Sequence, residues 1–385
     1  MATRRGLVAI ISIIALAVTA CSGAPGGSPV PTSAPGCPFS DSTLCAASFV
    51  PGTPIPIATR AAPPSRDTSA TMRIAIGSCL RNAAGGPALE DIAALQPDLM
   101  LWLGDNIYAD TEDPVAMRAL YETLGANPRF QALAATTPMM AVWDDHDYGW
   151  NNANRTWPHR DEAKAEFLRF WGSAGDASTS LPGVYSAKTY GSGDRAVQVI
   201  LLDNRYNLDP YDYAGEDPAR TILGAKQWAW LRERLAEPAA IRIIGSGIQV
   251  IQDYDIDEEW EGWGDSPLER ERLYALIREM GVPGVVFVSG DMHFAELSRH
   301  PDDATALGYP TYDLTPSGMD QTETWAVGQW NNPNRIGELL NSNRKFGIVE
   351  INWSTPDPEI HLEIHDGGKP HLDHVVRLSE LQPAA

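Results

Sequence analysis

Leu99-Met-Leu-Trp-Leu-Gly-Asp-Asn-Ile-Tyr108 is an apolar run that stops at a cluster of metal-capable residues. Three further stretches have the same form: Arg73-Ile-Ala-Ile-Gly-Ser-Cys79, Met139-Met-Ala-Val-Trp-Asp-Asp-His-Asp147 and Val285-Val-Phe-Val-Ser-Gly-Asp-Met-His293. A short continuous apolar run reads as a buried strand. Donors at the end of such a strand sit on backbone that packing has already fixed, which a metal site requires. The recurrence therefore predicts a multi-metal hydrolase.

Outward from these runs, strand and helix patterns alternate, which favours an α/β sandwich over an all-β or all-helical fold. A helix is expected from about Pro87 to Leu95, with Glu90 and Asp91 near its positive end and Pro97 beyond it. Others are expected over Arg160 to Trp171, over Gln227 to Leu235, and from Ser266-Pro267, where Ser is read as the N-cap and Pro as the first helical residue. Val197 to Leu202 and Ile241 to Ile244 add buried strands. In the tail, Gly347 to Trp353 alternates, and Glu359 to His365 pairs with His371 to Leu378 across Asp366-Gly-Gly-Lys. His361, Glu363 and His365 share one face of that hairpin by their spacing of two, opposite Leu362 and Ile364, and read as a half-exposed strand face. His371 and His374 are likewise given no role.

The N-terminus has the order of an export signal over residues 1–20: Arg4 and Arg5, an apolar stretch from Leu7 to Val18, then Thr19-Ala20-Cys21. Val18-Thr-Ala-Cys21 resembles the lipobox of bacterial lipoproteins, which implies lipidation of Cys21 and a membrane-anchored protein facing the periplasm or the exterior. Residues 21–70 are rich in Pro, Gly, Ser, Ala and Thr and read as a tether, and residues 71–385 as a single catalytic domain. Cys37 and Cys45 are placed to close a small loop in an oxidising compartment. That leaves Cys79 as an odd thiol at a strand mouth beside other donors, read here as a metal thiolate rather than a buried hydrophobe. The formal net charge of -21 argues for solubility and against a nonspecific nucleic-acid surface, while cations bound in a cleft would still admit an anionic substrate.

Asp105 and Tyr108 form GDxxY. A carboxylate can bridge two cations, and a phenolate suits a hard ion such as ferric iron. Asp291 and His293 in GDMH offer oxygen and nitrogen from another strand end, and Trp143-Asp-Asp-His-Asp147 adds carboxylates and an imidazole, with Asn151 and Asn152 following.

GSC, GDNIYAD, WDDHD with a following Asn, LDNR at 202–205, LGAKQWAWL at 223–231 and SGDMHFAEL at 289–297 together resemble the alkaline phosphatase D, or PhoD-like, branch of the metallophosphoesterases. The resemblance covers most of residues 72–378. It implies a four-layer α/β/β/α sandwich of two mixed sheets and the hydrolysis of phosphate mono- or diesters. It further implies ferric iron on Cys79, Asp105, Tyr108 and His293. A second ion, Ca²⁺ or another divalent metal, would take Asp105, Asp291 and an oxygen from Asp145 or Asn151. His146 is the candidate general acid and Arg205 the candidate phosphate fork, with an ion pair to Asp203 or Asp209 as the structural alternative for Arg205. The chain departs from some relatives in having a Pro-rich tether where they carry a small N-terminal β-sandwich, so a more open approach to the site is expected. Two other functions compete: a phospholipase D type phosphodiesterase, with Glu259-Trp-Glu-Gly-Trp263 as a lipid-contacting segment, and a surface-binding lipoprotein with a dead site.

Overall fold

The computed structural model describes residues 70–172, 180–210, 220–253, 261–323 and 331–384. Cys21, Cys37, Cys45, the tether up to residue 69, Glu259 and Trp260 lie outside the described residues.

Two sheets form the centre. One contains β1 (Thr71–Gly77), β2 (Leu99–Leu103), β3 (Met139–Val142), β11 (Lys345–Asn352), β12 (Glu359–Asp366) and β13 (Lys369–Arg377) in the spatial order β13-β12-β11-β1-β2-β3. The other contains β4 (Ser186–Tyr190), β5 (Val197–Leu201), β6 (Ile241–Ser246), β7 (Val285–Ser289), β8 (Ala295–Arg299), β9 (Tyr312–Pro316) and β10 (Arg335–Leu340) in the order β10-β8-β9-β7-β6-β5-β4. Both are mixed. β1, β2 and β3 run parallel, as do β5, β6, β7 and β9, and antiparallel strands complete the edges. Of the parallel strands, β2, β5, β6, β7 and β9 are wholly buried, and β1 and β3 nearly so, because both faces are covered, which is why they read as apolar runs.

Helices close the two outer faces, and the short α4 (Asp145–Tyr148) follows β3. Trp102 of β2 packs on Phe130 of α3 (Pro128–Thr136) and on Trp171 of α5 (Arg160–Trp171), with centroids 5.7 and 5.4 Å apart. On the other sheet, Tyr185 meets Trp230 of α6 (Gly224–Leu235), and Phe287 of β7 meets Tyr274 of α7 (Pro267–Glu279). Between the sheets, Gly245 of β6 lies so close to Leu103 of β2 that an added Cβ would come 2.8 Å from it. The result is the expected α/β/β/α sandwich.

Local chemistry explains the departures from expectation. α1 is Ala88–Ala94, one residue later than Pro87. α2 (Pro114–Ala126) and α3 were not anticipated, although each begins at Pro after a side-chain cap: Asp113 accepts from Val115 N at 2.8 Å and Asn127 from Arg129 N at 2.9 Å. Ser266 does flank α7, but its hydroxyl makes no cap bond and is instead 3.1 Å from Arg220 Nη1. The tail hairpin forms as expected, with Gly367 and Gly368 at φ of 55° and 77°, the left-handed pair that a two-residue hairpin turn requires.

Candidate active site

The four motif clusters meet at the carboxyl ends of β1, β2, β3 and β7, where open α/β sheets place their ligands. Their approach depends on glycine. A Cβ on Gly104, itself at φ 95°, would fall 2.4 Å from Asp144 Cβ, and one on Gly290 would fall 2.6 Å from the Leu103 carbonyl oxygen. The Gly of each GD pair is therefore what lets one strand end close on its neighbour. Cys79, Asp105, Asp291 and His293 all adopt left-handed φ, at 56°, 51°, 68° and 51°. Such conformations cost about 1 kcal/mol or more each in a non-glycine residue and persist only where surrounding structure over-determines them. Gathering at one point, they aim four donors inward.

Those donors form overlapping sets. Cys79, Asp105 and His293 offer ligand atoms all within 4.8 Å of one another, as do Asp105, Asp145 and His146, and again Asp144, Asp145 and Asp291. Asp105 belongs to two sets. Tyr108 joins the first, its hydroxyl 2.9 Å from His293 Nε2. Burial, then the negative charge of Asp145, pushes Asp105 well above the usual carboxylate range, and burial with Asp144 and Asp145 does the same to Asp291. Burial also raises the Cys79 thiol and the Tyr108 phenol, with Asp105 adding to each, and lowers His293 toward the neutral imidazole that ligation needs. Of these acids, Asp145 alone is lowered: burial opposes its charge, but Arg205 and His146 outweigh burial. Buried acids so close together call for a cation. Asp145 Oδ1 and Asp291 Oδ2, buried and without any hydrogen-bond partner, are the oxygens left open for one. The donor set therefore fits two metal ions, a sulfur, nitrogen and phenol group on one side and an all-carboxylate group on the other.

A surrounding shell holds these donors. His293 Nδ1 is 2.9 Å from Glu323 Oε1, which leaves Nε2 facing the site, as carboxylate-oriented metal histidines are arranged. Gln321 donates its amide to the Tyr108 hydroxyl, and Ser317 Oγ lies 3.2 Å from Cys79 Sγ while accepting His293 N–H. Lys345, buried, donates to the carbonyls of Gly318, Gln321 and Ser342 and so pins the loop that carries Ser317, Gln321 and Glu323. None of these was anticipated. The one sequence signal was the polar run Ser317-Gly-Met-Asp-Gln-Thr-Glu323 following a buried strand.

His146 is part-buried, its ring against that of Tyr108 with centroids 4.2 Å apart and planes tilted by 32°, and its Nδ1 2.6 Å from Asp110 Oδ1. Burial works against its charged form, but Asp145 and Asp105, with Asp110, push its pKa up to about 10. Of the two alternatives left open by the sequence, Asp145 belongs to two of these donor sets. Asn151 is exposed and donates to Asn152, whose backbone N–H in turn holds Asp145 Oδ2 at 2.7 Å.

Arg205 differs from its expected role. Its guanidinium is wholly buried, bidentate to Asp144 (Nε to Oδ1 2.5 Å, Nη2 to Oδ2 3.0 Å), paired with Glu261 and 3.8 Å from Asp145. No face of the fork is left for a phosphate. Nor are its ion-pair partners the ones anticipated, since Asp203 accepts only its backbone N–H and Asp209 pairs with Arg155. Glu261 and Trp263 of the supposed lipid-contacting segment are also buried.

A two-sheet α/β sandwich whose strand ends share one carboxylate between two donor sets has the architecture of the metallophosphoesterases. Within that class the chain belongs to the PhoD-like phosphatase family, whose profile matches residues 74–314. It is 25% identical over 272 residues to alkaline phosphatase D of Bacillus subtilis strain 168, covering 58% of this chain and 46% of that protein, so it spans about half the length of that curated relative. Among solved structures it resembles PhoD (TM-score 0.64, 17% identity, 80% of this chain and 69% of the other). It also resembles the purple acid phosphatase PPD1 of yellow lupin (TM-score 0.56, 14% identity, 81% and 54%).

Proposed function

We propose that this protein is a metal-dependent phosphoric ester hydrolase of the alkaline phosphatase or phosphodiesterase type. The observation that carries this reading is Asp105, a buried carboxylate common to the Cys79–His293 set and the Asp145–His146 set, and so able to bridge two cations. Cys79, Asp105, Tyr108 and His293 would hold ferric iron, and Asp105, Asp145 and Asp291 would hold Ca²⁺ or another divalent ion. When bound, such a pair supplies a nucleophile at neutral pH and charge to stabilise the phosphoryl group.

The chain's own residues do the rest. Asp110 fixes the His146 ring through Nδ1, leaving Nε2 free to deliver a proton to the departing alkoxide. The Tyr108 ring, in tilted contact, backs that ring, so the donor is held without a hydrogen bond on its reactive nitrogen. Arg205 neutralises Asp144 and Glu261 from behind, which keeps Asp145 ionised and ready to ligate.

The export signal and the lipobox-like sequence at Cys21 support an extracytoplasmic enzyme tethered by lipid. No helix among the described residues is long and apolar enough to cross a membrane. Labelled palmitate that enters the wild type and not Cys21→Ala would support the anchor, and its failure to enter the wild type would refute it. For activity, metal analysis should be coupled to hydrolysis of a nitrophenyl phosphate, its bis-ester and a phosphatidylcholine. Hydrolysis of the first or second with iron present supports the proposal. Phosphatidylcholine alone would favour the phospholipase reading, and metal-loaded protein inert on all three would refute hydrolysis.

A further inference from the structure

With Arg205 engaged by buried carboxylates and Lys345 by backbone carbonyls, neither of these two buried cations is free to meet the negative oxygens of an ester. Arg81 is exposed, two residues beyond Cys79, with its guanidinium carbon 5.8 Å from the centroid of the Tyr108 ring. Among the described residues that guanidinium has no carboxylate partner and no hydrogen bond. Its backbone, by contrast, is firmly mounted: Asp320 accepts Arg81 N–H at 2.8 Å with one oxygen and Asn82 N–H at 2.9 Å with the other. Leu80 N–H is held by the Asp105 carbonyl at 3.0 Å, which ties this turn to the residue that both donor sets share.

We propose that Arg81 is a substrate-binding residue, the fork that takes the non-bridging oxygens of the phosphoryl group at the mouth of the site. The assignment rests on the phosphoesterase reading above. A guanidinium is planar, permanently charged and suited to bidentate phosphate contact, and an aromatic face beneath it limits its orientations without consuming its N–H groups. The rigid backbone turn lowers what must be ordered on binding. Because Coulomb attraction scales with the ligand's charge, Arg81 favours the dianion of a monoester over the monoanion of a diester. It thereby biases the site toward monoesters.

The test uses metal-reconstituted full-length protein as wild type, Arg81→Ala and Arg81→Lys. Three quantities are read: metal content, binding of inorganic phosphate by titration calorimetry, and kinetics on nitrophenyl phosphate and its bis-ester. Loss of one charge-assisted contact should weaken phosphate binding by about 10- to 100-fold in Arg81→Ala and raise the monoester KM similarly, with a smaller rise for the bis-ester. Metal content should be unchanged, and Arg81→Lys should recover part of the loss. Phosphate affinity in Arg81→Ala within about twofold of wild type would overturn the proposal, as would loss of bound metal in that variant, which would mark a structural role. The two readings separate cleanly. Wild type that binds phosphate through Arg81 but hydrolyses no ester refutes the enzyme and keeps the contact, whereas hydrolysis indifferent to Arg81 does the reverse.

Discussion

Replacing Arg205 by Met distinguishes a residue that holds buried charge from one that binds substrate. The side chain is fully buried, and its fork satisfies both oxygens of Asp144 and one of Glu261. Methionine approximates the apolar stem and removes the charge, which leaves Asp144 without its bonded cation and Glu261 with only the charge of Arg220 nearby. Breaking a buried pair by removing one partner costs about 3 to 5 kcal/mol, and here two carboxylates lose the same partner, so the upper part of that range applies. At roughly 2 °C per kcal/mol for a large domain, the expected fall in Tm at about pH 8 is roughly 8 to 10 °C. The loss should depend on pH in a definite direction. Burial already raises Asp144 to about 7 with Arg205 in place. Without it, Asp144 and Glu261 rise further, so the folded variant binds protons that the unfolded chain has released. Its stability then falls relative to wild type as pH rises through about 4 to 8. Thermal scans of both proteins across that range, with chelator, are the assay. A variant as stable as wild type at every pH, yet with a raised KM for phosphate esters, would refute the structural role and restore Arg205 as a phosphate fork.

Asp145→Asn should lose the divalent metal, whereas Asn151→Ala, at an exposed residue, should bind it within about twofold of wild type; equal losses in metal analysis would contradict the choice of Asp145 over Asn151 as ligand. His146→Ala should retain metal and lose roughly 10² to 10⁴ in kcat on an ester with a poor leaving group, and unimpaired turnover would remove its role as proton donor. Metal-free protein should become less stable between about pH 5 and about pH 8. Asp147, raised by burial to about 7, and Asp313, raised to about 6, bind protons in the folded state that the unfolded chain releases near about 4, as do Asp105 and Asp291. Stabilisation by added metal should grow over the same interval, because the ligands must lose protons to bind. A metal-induced rise in Tm that is the same at both ends would refute that linkage.

How legible the site was in the sequence follows from where its residues sit. Cys79, Asp105, Asp291 and His293 could be found because each ends a continuous apolar run, and the parallel strands that make those runs are buried on both faces. Arg205 has the same position after a strand, yet its partners Asp144 and Glu261 lie 61 and 56 residues away, a separation that no local pattern encodes. Asp144 and Asp145 are adjacent and equally acidic in sequence. Only the fold assigns one to the arginine and leaves an oxygen of the other open. The loop bearing Ser317, Gln321 and Glu323 was invisible for a different reason: its residues are ordinary loop residues, and what gives them a function is Lys345 holding their backbone from a strand of the other sheet. α2 and α3, by comparison, carried readable Asp-Pro and Asn-Pro starts.

The tail hairpin shows what separates a donor cluster from a metal centre. His361, Glu363 and Asp373 bring ligand atoms within the same 4.8 Å as the sets at the strand ends. Residue type and proximity therefore do not discriminate. In the hairpin, however, His361 Nδ1 lies 3.0 Å from Asp373, His365 Nε2 lies 2.5 Å from Glu363, and Asp373 is exposed, so water and neighbours already meet the demand for partners. At the strand ends, the acids are buried, their backbones are held in left-handed conformations, and two oxygens face inward with nothing to bond. Burying such oxygens without a partner costs about 1 to 3 kcal/mol each, and more when they are charged. A fold that leaves two buried carboxylate oxygens open where Cys79, Asp105 and His293 also converge has built that point for a cation.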